Sequence, residues 1–246
     1  MRKLIVTALA VLATTMSPAF AEKISVVTEE MAPYNFTDEK DKQITGLSTE
    51  VVKEVLKRAK VDHEIKSFPW SRAYKMAQED PDVAIYSIGR NEEREKMFKW
   101  VGIVAKRDVY LYKLKSRTDI KASKLEDLKP YNFGGIRDGI RTMYLVKEGF
   151  KVEQVTDDIS NIKKLQAGRI DGIPSDDLAL IALAKNSGVE FDSLEKLIKI
   201  DKLSGGLSMA FSLKTSDETV EKCRVALDSM VKDGTFDAIA AKWHHK

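Results

Sequence analysis

Short apolar segments alternate with amphipathic segments along most of this chain, and this alternation constrains its fold more than any other feature. Residues 23–28, 63–68 and 83–88 are expected to form strands. Between the first two, apolar residues recur at helical spacing after Ser48, which is a suitable N-cap. The apolar face of that predicted helix consists of Val51, Val52, Val55, Leu56 and Ala59.

The same alternation continues through the second half of the chain. Further strands are expected at residues 109–114, 133–136, 151–155 and 170–173, and helices at residues 139–147, after Asp158 and at residues 178–184. Repeated strand–helix units of this length imply an α/β fold with largely parallel sheets. Such sheets bind ligands beyond the carboxyl ends of their strands, so polar residues that follow strands are the candidates for a site.

The amino terminus has the three parts of a cleavable signal peptide. A basic start at Arg2 and Lys3 precedes an apolar run over residues 4–16, and the small-x-small sequence AFA ends the segment at Ala21. A membrane anchor is the alternative, but the run is shorter than the roughly 20 residues that a spanning helix needs. Residues 1–21 are therefore predicted to be removed by cleavage after Ala21, which places the mature protein in the periplasm.

The charge pattern argues against a nucleic-acid partner. The chain has 41 basic and 38 acidic residues, and removal of Arg2 and Lys3 leaves 39 against 38. Both signs are interleaved, whereas a nucleic-acid-binding protein would concentrate positive charge on one face.

Motifs for catalysis or for cofactors are lacking in the sequence. There are three histidines, His63, His244 and His245, and they do not have metal-ligand spacing. The chain has neither a glycine-rich phosphate loop nor a nucleophile motif. We therefore expect no catalytic residues, no metal and no cofactor. The single cysteine, Cys223, falls on an apolar stripe with Val220, Leu227 and Met230, so a buried thiol is favoured over a reactive one.

The first candidate site follows the predicted strand at residues 83–88. Asn91 is a suitable helix N-cap, which would leave free backbone N–H groups just after Gly89. With the guanidinium of Arg94 nearby, these groups would bind a carboxylate. The alternative is that Arg94 is a solvated charge among neighbouring glutamates, and spacing alone leaves the two readings even.

The second candidate is the pair Asp176 and Asp177, which follows an apolar segment and precedes a predicted helix. Either carboxylate would serve as a helix cap, and either would serve as a partner for a ligand ammonium group.

Two aromatic residues, Tyr34 and Trp70, also lie just after predicted strands. They are suited to sandwiching the body of a ligand, and packing beneath a loop is the alternative for both.

Four sequence blocks in order resemble the polar amino-acid-binding group of bacterial extracellular solute-binding proteins, family 3. They are APYNF at 32–36 followed by Gly46, residues 82–94 followed by Phe98, AGRID at 167–171 leading to Asp176, and DGTF at 233–236 with Lys242 and Trp243. Each block is weak singly, and the likeness covers essentially the whole mature chain.

The resemblance implies a type II periplasmic-binding-protein-like fold, in which two α/β lobes are joined by two hinge crossings. Lobe 1 would comprise residues 22–107 and the return segment 204–246, and lobe 2 residues 108–203. The resemblance also implies a monomer that closes around an amino acid or related carboxylate and docks on an ABC permease.

Roles for individual residues follow from the same resemblance. Arg94 matches the arginine that grips a ligand α-carboxylate, and Ser87 and Gly89 match positions that contact the same group. Asp176 matches the acid that receives the α-ammonium group. Enzymes of the dehydratase type use the same fold, and so do sensor modules that dock on membrane receptors, so both remain alternatives.

The chain also departs from the family pattern. The second-lobe turn reads Gly139-Ile140-Arg141 where a threonine is common after the glycine, and four other residues are unusual near the predicted cleft: Arg72, Tyr86, Arg90 and Arg137. If only half of the arginines among these residues, Arg141 included, face the cleft, a ligand with extra acidic groups or without an ammonium group becomes plausible. The alternative is that Arg90 and Arg137 form surface ion pairs, each worth less than about 1 kcal/mol.

Overall fold

The computed structural model describes residues 23–244, with the side chain of His244 excepted, and the predicted signal peptide and its cleavage site lie outside this range. The chain first forms β1 (Ile24–Thr28), β2 (Phe36–Thr37), β3 (Ile44–Thr45), α1 (Leu47–Ala59), β4 (His63–Ser67), α2 (Trp70–Glu79), β5 (Val83–Ile88) and β6 (Phe98–Ala105). It continues with β7 (Tyr110–Leu114), β8 (Asn132–Ile136), α3 (Ile140–Lys147), β9 (Lys151–Val155), α4 (Asp158–Gln166), β10 (Ile173–Ser175), α5 (Asp177–Ser187) and β11 (Leu194–Lys199). The last elements are β12 (Leu207–Ser212), α6 (Asp217–Lys232) and α7 (Thr235–His244).

We define the first lobe as the elements β1–β6, β12, α1, α2, α6 and α7. Its main sheet has the strand order β4-β1-β5-β12-β6. Two hydrophobic clusters cover this sheet: the larger includes residues of α1 and α6, and the other includes Trp70, Ala73 and Ala77 of α2. The sheet is therefore covered by helices, and its strand ends are left to form a site.

The second lobe contains β7–β11 and α3–α5. Strand β7 pairs with both β10 and β11, while β8 pairs with β9, and a bridge from Phe133 to Gly172 connects β8 to the segment before β10. Apolar side chains from these strands form two further clusters, one with α3 and the other with α4 and α5.

Two chain segments connect the lobes, one after β6 and one before β12. The amide of Gly205 donates to the carbonyl of Arg107 at 2.9 Å, and the amide of Val109 donates to Ser204 Oγ at 3.0 Å. The crossings therefore run side by side, and the lobe boundaries at residues 107/108 and 203/204 stay a prediction.

The prediction of largely parallel sheets is wrong for part of the fold. Strands β1, β4 and β5 are parallel, and so are β8 and β9. Strand β12, however, is antiparallel to both β5 and β6, and β7 is antiparallel to β10 and β11. These antiparallel pairs involve the strands next to the crossings, where the chain changes lobe instead of returning through a helix over the same sheet.

Several predicted element boundaries also differ from the structure. Gly46 rather than Ser48 precedes α1, and Asp157 rather than Asp158 caps α4 by accepting a bond from the amide of Ser160. The strand predicted at residues 170–173 begins only at Ile173. Such shifts arise because several neighbouring polar residues are suited to the same cap, and only packing selects one.

Cys223 is a fully buried, free thiol on α6, as predicted. Among residues 23–244, no helix is both long enough and apolar enough to span a membrane.

Candidate functional site

A cavity lies between the two lobes, at the ends of strands from both. The empty space between its lining atoms is about 510 Å³, part of which is open to solvent. The first lobe and its crossing contribute Glu29, Met31, Trp70, Ser87, Gly89, Arg94 and Arg107. The second lobe contributes Gly134, Gly135, Ile136, Gly139, Ile140, Arg141, Thr142, Asp158, Asn161, Ile173 and Pro174.

Arg94 is the largest fully buried side chain in this wall, with 1% of its surface exposed. Its Nη1 donates to the carbonyl of Gly89 at 3.1 Å, and its Nη2 donates across the cleft to the carbonyl of Asp138 at 2.9 Å. The guanidinium also lies 5.3 Å from the ring centre of Trp70 and 4.8 Å from that of Tyr74. Arg94 is therefore held in place from both lobes, so the solvated-charge reading of this residue does not fit the structure.

The predicted helix after Asn91 is not present. Residues 91–94 form a turn followed by the short 3₁₀ helix Glu95–Met97, and Asn91 Oδ1 accepts a bond from the amide of Arg94 at 2.9 Å. A single short turn carries little dipole, so the predicted helix-dipole contribution at Gly89 is wrong. Positive charge on this side of the cavity comes from the guanidinium itself.

Ser87 and Gly89 both line the cavity. Ser87 adopts a φ of 58°, a conformation that is rare for residues other than glycine and that is concentrated at functional sites. A side chain at Gly89 would bring a Cβ within 2.7 Å of Ile140 Cδ1 on the opposite lobe. A glycine at position 89 thus lets the lobes approach closely without displacing the side chain of Ile140.

Trp70 and Ser71, at the start of α2, also bind the second lobe, at Asp138. Its Nε1 donates to the carbonyl of Asp138 at 3.0 Å, while Ser71 Oγ donates to Asp138 Oδ2 at 3.0 Å. Asp138 itself has a φ of 59°. Asp138, in the turn before α3, therefore accepts three hydrogen bonds from the first lobe, counting that of Arg94.

Asp176 lies behind the cavity wall rather than on it, and it is 2% exposed. Its Oδ1 accepts bonds from the hydroxyl of Tyr34 at 2.8 Å and from the amide of Ala179 at 3.0 Å, so it caps α5. Its Oδ2 lies 3.5 Å from Nη1 of Arg107. Both oxygens of the carboxylate are thus occupied by the chain's own groups.

Arg141 lines the cavity, and its Nη1 donates to the carbonyl of Pro174 at 3.0 Å. Its Nη2 lies 3.3 Å from Oδ2 of Asp158, which belongs to the same wall. Arg141 is therefore a cavity cation with an internal acidic partner.

The remaining candidates are not part of the cavity wall. Tyr34 and Tyr86 belong to hydrophobic clusters, and the hydroxyl of Tyr86 lies 2.9 Å from that of Thr49. Arg72 is exposed, with its guanidinium 4.5 Å from the ring centre of Phe68. The geometry thus gives no support to ligand contacts by Arg72 or Tyr86.

The two further arginines in question, Arg90 and Arg137, are also exposed. Arg90 makes hydrogen bonds of 2.7 and 2.6 Å to the carboxylate of Glu95, which agrees with the surface-pair alternative. The cavity's positive charge comes instead from Arg94, Arg107 and Arg141.

Three charged residues of the wall were missed from the sequence: Glu29, Arg107 and Asp158. The rule that polar residues after strands form the site would have identified Glu29, which directly follows β1, and Asp158, which follows β9 closely. Arg107 lies on a crossing, where no such rule applies.

Burial raises the pKa of Glu29 from 4.5 to about 7, and the negative charge of Asp158 adds to this effect. Three arginines, Arg141, Arg107 and Arg94, act in the opposite direction. The carboxyl group therefore exchanges its proton near neutral pH.

Several polar atoms of the cavity residues have no hydrogen-bond partner within residues 23–244. They are Ser87 Oγ, Arg94 Nε, Arg107 Nε, Thr142 Oγ1 and Asn161 Oδ1. A buried polar atom without a partner costs about 1–3 kcal/mol, so a concentration of them indicates a place where a polar ligand supplies the partners. The described residues contain no group of three His, Cys, Asp or Glu side chains suited to a metal ion.

Two curated proteins are similar to this chain along most of its length. The L-cystine-binding protein TcyA of Bacillus subtilis is 26% identical over 219 residues, which cover 86% of this chain and 76% of that protein. The L-cystine-binding protein TcyJ of Escherichia coli K12 is also 26% identical, over 86% of this chain and 78% of that protein.

Solved structures show the same fold. An ancestral arginine-binding protein bound to arginine matches with a TM-score of 0.76 and 23% identity, over 90% of this chain and 97% of that chain. A histidine kinase sensor domain with similarity to periplasmic binding proteins matches with a TM-score of 0.78 and 19% identity, over 90% and 95%. The predicted type II fold is thereby confirmed.

The model of one protein family matches nearly all of the described chain. It is that of the bacterial extracellular solute-binding proteins, family 3, and the match extends over residues 24–246. The prediction of a solute-binding protein rather than an enzyme agrees with this match. The chain therefore belongs to the bacterial extracellular solute-binding proteins, family 3.

Proposed function

We propose that this protein binds an amino acid or a related carboxylate in the periplasm and delivers it to an ABC importer in the inner membrane. The cavity between the lobes supports this proposal, because its wall combines three arginines with several polar atoms that lack partners. The relatives TcyA and TcyJ are named as L-cystine-binding proteins, and cystine carries the carboxylate and ammonium groups that such a wall would recognise.

The observation that carries the proposal is the state of Arg94. Its two terminal nitrogens donate to the carbonyls of Gly89 and Asp138, while its Nε has no partner within the described residues. Burial lowers the pKa of this arginine, yet a guanidinium remains charged at all ordinary pH values. A ligand carboxylate at Nε would supply both the missing acceptor and the missing negative charge.

The proposed ligand contacts are those that surround this guanidinium. Ser87, Gly89 and Trp70 contribute from the first lobe, and Arg141 contributes from the second. Tyr34 and Asp176 lie behind the wall and would support it through their mutual hydrogen bond.

The proposed periplasmic location is supported by the match to an extracellular solute-binding family and by the predicted signal peptide at residues 1–21. The permease partner and the monomeric state are parts of the same proposal.

Substitution of Arg94 by alanine tests the proposal. We expect the Arg94→Ala protein to lose about 10- to 150-fold in affinity for its amino acid, because a charge-assisted hydrogen bond in a buried site is worth about 1.5–3 kcal/mol. Isothermal titration calorimetry measures this affinity, and circular dichroism verifies that the variant is folded.

Arg90→Ala is the matched control, because Arg90 lies on the same segment and pairs with Glu95 at the surface. This variant should bind as the wild type does. Unchanged affinity in folded Arg94→Ala would contradict the proposed site.

A further inference from the structure

The internal partners of Asp176 leave little capacity for a ligand ammonium group. The hydroxyl of Tyr34 and the amide of Ala179 both donate to Oδ1, and Arg107 lies against Oδ2. An arriving ammonium group would compete for Oδ2 with the guanidinium of Arg107, which is 4% exposed in its side chain and has no other ion-pair partner within the described residues. Displacement would leave a buried cation unpaired, at a cost of several kcal/mol.

The charges of the cavity wall fall into internal pairs with two exceptions. Arg107 pairs with Asp176, and Arg141 pairs with Asp158. Arg94 has no carboxylate partner among residues 23–244, and its two bonded nitrogens contact backbone carbonyls. Glu29 is the second exception, and it is negatively charged when ionised. It lines the cavity, and its carboxylate has neither a hydrogen bond nor an ion pair within those residues.

We propose that the ammonium group of the ligand pairs with Glu29 and not with Asp176. This inference rests on the proposed function, since it assumes a zwitterionic amino acid whose carboxylate is bound by Arg94. The two wall residues left without an internal ion pair then match the α-carboxylate and the α-ammonium group of the ligand. Arg107 becomes a residue that determines specificity by withholding Asp176 from the ligand.

Binding of a ligand ammonium group at Glu29 is expected to change the protonation of this carboxyl group. The charged groups that face Glu29 are Asp158, Arg141, Arg107 and Arg94, and with burial they give this carboxyl a pKa of about 7. An added positive charge stabilises the ionised form and lowers that pKa. Binding near neutral pH therefore releases a proton, and affinity rises as the pH increases from about 6 to about 8.

A ligand that carries a second carboxylate in place of the ammonium group is expected to cause proton uptake on binding instead of proton release. A second carboxylate near Glu29 would stabilise its protonated form, so binding would take up a proton and weaken as the pH rises. The direction of proton exchange thus separates the two ligand classes.

The experiment is calorimetric titration of the wild-type protein with L-cystine, L-arginine, L-glutamine and L-glutamate. Titrations in two buffers of different ionisation enthalpy, at about pH 6 and about pH 8, give the number of protons exchanged. Deaminated counterparts, dithiodipropionate for L-cystine and glutarate for L-glutamate, are titrated beside them. We expect proton release with the tightest amino acid and at least about 10-fold weaker binding of its deaminated counterpart.

Two isosteric variants test whether Glu29 or Asp176 is the source of the released proton. Glu29→Gln should abolish the release and weaken binding by about 10- to 100-fold at pH 8. Asp176→Asn should retain the release, even if its stability is lower.

Three results would overturn the inference. They are release that persists in Glu29→Gln, release that is lost only in Asp176→Asn, and tight binding of a deaminated acid with proton uptake. If none of the amino acids or deaminated acids binds the folded wild-type protein, the proposed function fails together with this inference.

Discussion

The hydroxyl of Tyr34 donates a 2.8 Å hydrogen bond to the carboxylate of Asp176, a residue 142 positions away on the other lobe. Both side chains are buried. Burial raises the pKa of Tyr34 far above its usual value, and the negative charge of Asp176 adds to this effect, so the hydroxyl remains a donor. This bond joins the loop after β1 to the start of α5 and thereby holds the two lobes together beside the cavity.

Removal of that hydroxyl tests its contribution. We expect Tyr34→Phe to lower the free energy of unfolding by about 1–3 kcal/mol, because a buried carboxylate loses one of its donors. Urea denaturation followed by circular dichroism measures the change. Tyr131→Phe is the control, since its hydroxyl makes only an exposed 3.4 Å contact with the carbonyl of Asp119. A control variant that loses as much stability as Tyr34→Phe would contradict this account.

Trp70 should report ligand binding by its fluorescence. Of the three tryptophans, Trp70 lines the cavity, and its Nε1 donates to Asp138 on the opposite lobe. We expect the change in emission on ligand addition to disappear in Trp70→Phe. It should persist in Trp100→Phe, because Trp100 is not on the cavity wall and its Nε1 donates to Glu95 within the first lobe. The reverse pattern would show that closure around Trp70 is not the source of the signal.

Glu29 should make the stability of the protein depend on pH. Its pKa in the folded protein is about 7 against an ordinary 4.5, so the folded protein holds this proton more tightly than the unfolded chain. Its contribution to stability is therefore fully present below about pH 4.5 and is lost as the pH rises through about 7. We expect Glu29→Gln to unfold with a free energy about 1–3 kcal/mol higher than wild type at about pH 8, and with a smaller difference at about pH 5.

Thermal and urea denaturation across this pH range measure the effect. The neighbouring Glu30→Gln is the control, because Glu30 is exposed and its carboxylate accepts bonds from Thr37. It should show no gain in stability toward high pH. Parallel pH curves for wild type and Glu29→Gln would refute the prediction.

Cys223 should be unreactive until the protein unfolds. Burial raises the pKa of its thiol to about 12, and the thiolate is the form that reacts with disulfide reagents. We expect no labelling of the native protein by such a reagent at about pH 8, and complete labelling in denaturant. Cys223→Ser should cost about 1–3 kcal/mol of stability, since its hydroxyl would be buried in an apolar cluster, and Cys223→Ala should cost less. Rapid labelling of the folded protein would place the thiol at the surface instead.

Much of the architecture was predictable because it depends on local patterns. The strand at β5, the apolar face of α1 and the buried stripe around Cys223 follow from the spacing of apolar residues, which is set by the geometry of each element. The resemblance to the family added the expected lobe order and a role for Arg94, which its position after β5 had already made a candidate and which lines the cavity in the structure.

The sequence determined by itself which segments form strands and helices, and that Arg94 and Asp176 follow two of those segments. Only the tertiary structure decided how the charges pair. Arg107 lies on a crossing that carries no motif, yet it is placed against Asp176, and Glu29 is left without a partner in the cavity. The physical reason is that a charge pair depends on which chains meet in space, and residues 69 positions apart meet only when both lobes and their crossings are packed.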